Sequence, residues 1–226
     1  MIFQAEWFEP ATLYAAWLPL ALLLAAAAKP AWQAVQQYKS AVVVAVCILA
    51  AAWSLNAAPE GGQLAGISYH LLALNFTALM IGAPAALWLG TMLLFPHLWL
   101  FGGDIQSYPA NALALLLPPL AVNLAARTAV NRLPANIFIF IFINGFIASA
   151  LSMLATGAVL TATLAGAGSF SDGILWQSAF PVFFLMAWVE AFLSGIATAV
   201  FIAMRPQWIQ TFDDGKYLKS KNTIWF

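Results

Sequence analysis

The chain has 226 residues, of which 64% are hydrophobic and only 7% are charged, and its net charge is zero. Soluble domains carry nearer a quarter of charged residues, so this composition leaves too little polar surface to wet a globule of this size. The balanced charge gives no basic surface for a nucleic-acid partner. Cys47 is the single cysteine, which excludes a disulfide framework. The mean hydropathy of +0.90 favours a membrane protein.

Seven apolar stretches follow one another along the chain, each close to the length of a helix that crosses the hydrocarbon layer. Because these runs are continuous rather than alternating, they favour helices over a barrel. The predicted spans are residues 11–28, 40–57, 66–81, 84–102, 109–127, 136–163 and 177–204. We therefore predict an all-α transmembrane domain of about seven helices over residues 1–204 and a short cytoplasmic tail over 205–226.

Local signals mark some of the predicted boundaries. The first span is expected to stop at Lys29-Pro30, and Gly82-Ala83-Pro84 is expected to form a very tight turn between the third and fourth spans. Trp and Tyr residues near predicted ends, including Trp53 and Tyr69, fit an interfacial belt.

The charged residues are sorted by side. All eight Lys and Arg residues follow the first, fifth or seventh span, and these are Lys29, Lys39, Arg127, Arg132, Arg205, Lys216, Lys219 and Lys221. The segments that would face the other side of the membrane contain no basic residue, and their charged residues are the acids Glu6, Glu9, Glu60, Asp104 and Asp172. Because basic loops are retained in the cytoplasm, this asymmetry predicts an outer N-terminus and a cytoplasmic C-terminus.

Three ionisable residues within the predicted spans are candidates for a functional site, namely His70, His97 and Glu190. His70 lies 12 residues before Gly82, and His97 lies 13 residues after Pro84. At about 1.5 Å per residue, both lie roughly 18–20 Å from the turn between their spans, in the outer part of the layer. Two imidazoles at one depth on adjacent helices could share a divalent transition metal.

A structural interpretation stands beside each functional one. His97 could be a hydrogen-bonded interfacial residue. Glu190 could be hydrogen-bonded to Asn75, Asn123 or Asn144 as structural glue, or could belong to a cation or proton relay. Motifs of ordinary catalysis and of phosphate binding are missing from the sequence, which predicts that the chain is not an enzyme and that any active transport takes its energy from elsewhere.

Several short motifs occur in a characteristic order. They are Ser68-Tyr69-His70, Gly82-Ala83-Pro84, Gly102-Gly103, Pro109-Ala110-Asn111 and Pro118-Pro119, followed by the stretch from Trp188 to Ser194 around Glu190, and preceded by the stretch from Glu6 to Pro10. Together they resemble the CbiM/NikM family, the substrate-binding membrane components of energy-coupling-factor transporters for cobalt and nickel. The resemblance touches most of the chain.

The resemblance implies uptake of a transition-metal ion as substrate. In the family the N-terminus folds into the bundle, and its Met-His start and a later histidine hold the metal; the later histidine corresponds to His70. This chain begins Met1-Ile2-Phe3 and so lacks the N-terminal imidazole. We expect His97 to substitute for it, with the amine or thioether of Met1 nearby. A softer site that includes Met1 would favour copper(I) over cobalt or nickel, and loss of metal binding is the remaining alternative.

The leading hypothesis is a substrate-capture component in the bacterial inner membrane, with a transmembrane coupling subunit and ATPase subunits as partners. One alternative is a solitary permease or channel in which Glu190 and intramembrane asparagines form a cation or proton path. Another is a non-transporting assembly or sensor protein of the membrane. An intramembrane metallohydrolase is disfavoured because no second carboxylate shares the depth of the histidines.

Overall fold

The computed structural model describes residues 2–55 and 68–218, and within them the regular structure is helical. The main helices are α1 (Pro10–Gln37), α2 (Lys39–Ser54), α3 (Leu74–Ile81), α4 (Ala83–Leu100), α5 (Ile105–Asn131), α6 (Ile137–Ala167) and α7 (Asp172–Met204). A short helix, Asp214–Tyr217, follows in the tail.

Five of these helices, α1 and α4 to α7, are long and apolar enough to cross a membrane, whereas α2 has 16 residues and is shorter. Large apolar side chains such as Leu18, Trp99 and Leu185 are more than 60% exposed on the outside of the bundle. A surface of this kind is solvated by lipid rather than by water. The predicted fold class, an all-α polytopic membrane protein, is confirmed; the number of crossings and the orientation stay predictions.

Helix α3 lies at the centre of the bundle, although it has only eight residues and is about 12 Å long. It contacts α2, α4, α5, α6 and α7, and all eight of its residues are buried. By contrast, α1 lies at the periphery, where it packs mainly on α4. Residues just before α3, such as Tyr69, His70 and Leu72, are buried as well.

The predicted third span, 66–81, is helical only from Leu74 to Ile81. Residues 66 and 67 lie outside the described residues, and residues 68–73 are not helical. The helix begins late because Ala73 has φ 52° and ψ 5°, a left-handed conformation that cannot continue a right-handed helix. This stretch, residues 68–73, is called the His70 segment below, since it carries that histidine into the bundle.

The first span also differs from its prediction, because the helix continues beyond Lys29-Pro30 to Gln37. A proline inside a helix removes one backbone hydrogen bond, and the rest of the turn can continue around it. The apolar span thus ends at residue 28, whereas the helix itself ends at Gln37.

The turn between α3 and α4 is tight, as expected, but it is a single residue, Gly82, because Ala83 and Pro84 of the predicted turn belong to α4. Gly82 has φ 83°, and Ile81 and Ala83 belong to the two helices on either side. The chain after α7 returns to this turn, where the N–H groups of Gln210 and Thr211 donate to the carbonyls of Met80 and Leu79 at 3.0 and 3.2 Å. These bonds satisfy carbonyls that the end of α3 would otherwise leave without a partner.

Candidate metal-binding site

The two histidines of the chain meet inside the bundle. His70 comes from the His70 segment and His97 from the last turn of α4, and their ring centroids lie 5.0 Å apart at an interplanar angle of 68°. The side chains are 3% and 5% exposed. Two nitrogens that bind one ion at about 2.0–2.1 Å each are at most about 4 Å apart, a separation that rings at this distance can reach.

Each ring has a buried nitrogen, Nε2, without a hydrogen-bond partner. His70 Nδ1 lies 3.0 Å from the carbonyl oxygen of Leu71, so Nδ1 carries the proton and donates it. His70 Nε2 consequently holds a lone pair, and it is buried without a hydrogen-bond partner, as is His97 Nε2. A buried polar atom without a partner is costly, so two of them on adjacent rings make the pair a candidate for binding a ligand.

Aromatic side chains cover the imidazole pair. The Trp53 ring lies 5.6 Å from the His70 ring and 5.4 Å from the His97 ring, and Phe101 lies 4.7 Å from His97. A groove of about 210 Å³ between α2 and α4 is lined by Trp53, His97 and Phe101 and reaches His97 from one side. These rings limit the access of water to the two nitrogens.

Sequence reasoning missed the role of Trp53. It was expected in an interfacial belt with Tyr69, but the two side chains are only 3% and 5% exposed. Both pack inside the bundle, Trp53 on the histidines and Tyr69 on Phe183. An aromatic side chain near the end of a span can lie at the membrane interface or inside the bundle. The sequence carries no signal that distinguishes these two positions.

Glu190 is buried, at 2% exposure, but its partners differ from the expected asparagines. Its Oε2 accepts the N–H of Leu72 at 3.0 Å, and its Oε1 accepts the N–H of Ala73 at 2.6 Å. The expectation failed because residues 68–73 of the third span are not helical. The backbone N–H groups of Leu72 and Ala73 are therefore free to donate to a side chain of α7. Glu190 thus binds the segment that carries His70.

The asparagines form a separate cluster beside α3. Asn75 Nδ2 donates to the carbonyl of Asn144 and to Ser149 Oγ, each at 2.8 Å, and Asn123 Nδ2 donates to Asn75 Oδ1 at 2.8 Å. Asn144 lies in the π-helical turn Ile141–Ile147 of α6, which makes its carbonyl available. The cluster ties α3 to α5 and α6, and among the described hydrogen bonds none joins it to Glu190.

The N-terminal residues enter the bundle and are held there by Asn111. Ile2 and Phe3 are 2% and 0% exposed. Phe3 N–H donates to Asn111 Oδ1 at 2.6 Å, and Asn111 Nδ2 donates to Phe3 O at 3.1 Å. A Cβ atom added at Gly103, close to the end of α4, would lie 3.0 Å from Ile2 Cγ2. Met1, the third expected ligand, lies outside the described residues.

Within the described residues, no group of three or more His, Cys, Asp or Glu side chains could hold a metal ion. The site that the structure describes is therefore a pair of buried imidazole rings packed among aromatic side chains. Together with the fold, it defines a helical membrane protein with two adjacent imidazoles in its interior.

Comparisons with known proteins narrow this class. Residues 3–208 match the family model described as the cobalt uptake substrate-specific transmembrane region. The chain belongs to this family, and it is a membrane component of metal uptake rather than an enzyme. A comparison with curated proteins finds no match.

Two solved structures have a similar fold. One is described as a truncated transition metal transporter, with a TM-score of 0.74 and 16% identity over 90% of this chain and 98% of the other. The second is described as a transition metal transporter, with a TM-score of 0.75 and 17% identity over 90% of this chain and 93% of the other. At these identities the similarity establishes the fold.

Proposed function

We propose that this chain captures a transition-metal ion, of the cobalt and nickel class, as its transported substrate. His70 and His97 are the ligands, and Met1, next to the buried Ile2, supplies a further donor. The observation that carries the proposal is that the two imidazole rings are adjacent and that each has a buried Nε2 atom without a hydrogen-bond partner. Imidazole suits nickel and copper as well as cobalt, so the donors select a class of ion rather than one ion.

The proposal extends to the partners and the membrane. The family match and the lack of a phosphate-binding motif support a chain that works with a transmembrane coupling subunit and ATPase subunits, in the bacterial cytoplasmic membrane. The alternative of a solitary permease needs a continuous polar path. It is disfavoured because Glu190 binds backbone N–H groups, while the asparagine cluster bonds to α5 and α6.

Metal titration of the purified protein tests the site. We expect His70→Ala and His97→Ala each to weaken binding of Ni²⁺ or Co²⁺ by more than about 100-fold, beyond the 10–100-fold typical of a lost outer hydrogen-bond partner. Met92→Leu is the matched control, because Met92 is on α4 like His97 but is 66% exposed to the outside. Binding that persists at wild-type affinity in His70→Ala would reject the assigned site. A parallel titration with Cu⁺ under reducing conditions separates a cobalt and nickel site from a softer one.

The affinity should also depend on pH. A metal binds the neutral imidazole, so protons compete with the metal for the same nitrogens. We expect the affinity to fall as the pH is lowered through the range in which the rings of His70 and His97 become protonated, a range that nitrogen NMR of the two imidazoles measures independently. An affinity that stays constant while both rings become protonated would argue against imidazole ligands.

A further inference from the structure

Glu190 directs both of its carboxylate oxygens at two consecutive backbone N–H groups of another element. Oε2 accepts from Leu72 and Oε1 from Ala73, residues that precede it in the chain by 118 and 117 positions. Both oxygens act as acceptors in these bonds. A carboxyl group buried this deeply in a membrane protein normally has a specific role.

One of these N–H groups belongs to the peptide unit that binds the imidazole. The Leu71 carbonyl and the Leu72 N–H are the two ends of one planar peptide group. The carbonyl oxygen accepts from His70 Nδ1 at 3.0 Å, and the N–H donates to Glu190 Oε2 at 3.0 Å. The imidazole, the peptide group and the carboxylate therefore form a chain of hydrogen bonds that all point in the same direction.

Such a chain has a known physical effect. In metal sites, a histidine commonly donates its second N–H to a carboxylate or carbonyl, which fixes the tautomer and the ring orientation and raises the basicity of the ligating nitrogen. Hydrogen bonds in series also polarise one another, more strongly where the dielectric is low. A carboxylate on the N–H of the Leu72 peptide makes the Leu71 carbonyl a better acceptor for His70 Nδ1–H.

The segment is held from a second side by Trp53. The indole N–H donates to the Leu72 carbonyl at 3.0 Å, so Leu72 has both of its backbone polar groups engaged, one with α7 and one with α2. The bond from Glu190 to Ala73 also occupies an N–H at the residue before α3, where no local side chain provides a cap. The position of His70 is thus set by side chains of two other helices.

From this geometry we infer that Glu190 is a positioning residue for metal binding: through the Leu71–Leu72 peptide it fixes His70 with Nδ1 protonated and Nε2 free to bind the metal. The inference rests on the proposed function for its effect on affinity. The tautomer of His70 in the metal-free protein can be measured whether or not the protein carries metal.

The test is Glu190→Gln, which has nearly the same shape but only one acceptor oxygen for the two N–H groups. We expect metal affinity to fall about 10–100-fold, as for other outer partners of metal-binding histidines. Thr198→Val is the matched control, since Thr198 is 0% exposed on α7 and donates only to Ser194 O in its own helix. Its affinity should stay within about threefold of wild type.

Nitrogen NMR of the imidazoles gives a readout that a general loss of stability would not move. The chain has only two histidines, so the ring resonances can be assigned from His97→Ala. We expect metal-free wild-type protein and Thr198→Val to show His70 protonated at Nδ1, and Glu190→Gln to show a mixture of tautomers. Should Glu190→Gln not fold, Trp53→Phe releases the Leu72 carbonyl from the other side and is expected to weaken binding in the same way.

The outcomes separate the two proposals. If wild type binds metal through His70, and Glu190→Gln has both control-like affinity and an unchanged tautomer, the role of Glu190 is refuted while the metal site stands. If wild type binds no metal, the proposed function fails, and the tautomer comparison alone decides whether Glu190 positions the ring.

Discussion

At the scale of single residues, side-chain amides and carboxylates replace the backbone partners that the bundle interior lacks. The extended N-terminal residues and the His70 segment carry N–H groups that no helix satisfies, and water has little access to them. Asn111 hydrogen-bonds to the backbone of the N-terminal residues, and Glu190 accepts hydrogen bonds from the backbone of the His70 segment. A buried backbone group without such a partner costs of the order of 1–3 kcal/mol, which explains why polar residues occur in such an apolar chain.

The Asn111 contact yields a prediction at this scale. Asn111→Ala leaves the N–H and the carbonyl of Phe3 without their partner, so we expect a loss of about 2 kcal/mol in unfolding free energy and faster hydrogen exchange near residue 3. Thr128→Ala is the control, because Thr128 is exposed on the same helix and donates only to Leu124 O. Equal exchange rates in the two variants would contradict the assigned role of Asn111.

At the scale of elements, close approach of α6 and α7 depends on small residues, since lipid gives no hydrophobic drive for two helices to associate. A Cβ atom added at Gly157 of α6 would lie 2.7 Å from Phe183 Cβ of α7. Phe183 in turn packs on Tyr69 of the His70 segment, with ring centroids 5.3 Å apart. The packing of α6 on α7 is therefore connected to the position of the site.

Gly157→Ala should therefore separate the two helices. We expect a loss of about 1–3 kcal/mol in unfolding free energy, as for an overfilled core, and weaker metal binding. Gly166→Ala tests the same substitution on the same helix where nothing lies within 4 Å of the added atom. It should be neutral or gain up to about 1 kcal/mol from helix propensity. Unfolding in mixed micelles compares the two, and equal effects would show that the Phe183 contact is unimportant.

At the scale of the whole molecule, residues that the sequence assigns to one side of the membrane gather at one end of the bundle. Lys216 Nζ donates to Asn131 Oδ1 at 3.2 Å, beside Arg132 at the end of α5. The tail also binds the end of α3, next to the Gly82 turn. At the opposite end, Ser169 Oγ donates to the Trp7 carbonyl at 2.5 Å. The structure thus supports the sorting of basic and acidic segments, while the orientation in the membrane stays a prediction.

Labelling with thiol reagents tests that orientation. Cys47 is the single cysteine, so Cys47→Ser gives a background for Asp172→Cys and Asp214→Cys, both exposed positions. An impermeant reagent added to intact cells should label Asp172→Cys, whereas Asp214→Cys should react only after the membrane is permeabilised. Labelling of both positions from the same side would overturn the predicted topology and the entry of metal from outside.

Much of this architecture could be predicted from the sequence, because lipid imposes strict rules on a chain. Apolar runs indicated the order of the helices, although the third run is helical only from Leu74 to Ile81, and Gly82-Ala83-Pro84 marked the tight turn at Gly82. His70, His97 and Glu190 were singled out because ionisable groups are costly in hydrocarbon. These inferences need only local composition and the nature of the solvent. They hold whichever way the helices pack.

The tertiary structure decided what these residues do. The predicted third span is wrong as a helix over residues 68–73, where Glu190 of α7 and Trp53 of α2 bind the backbone of the His70 segment. The composition of the segment itself does not indicate these contacts. The edge-on contact of the two imidazoles and the partners of Glu190 depend likewise on packing between elements that are far apart in the chain or lie on different helices. Spacing along a chain fixes depth in the membrane, but only packing fixes which faces of the helices meet.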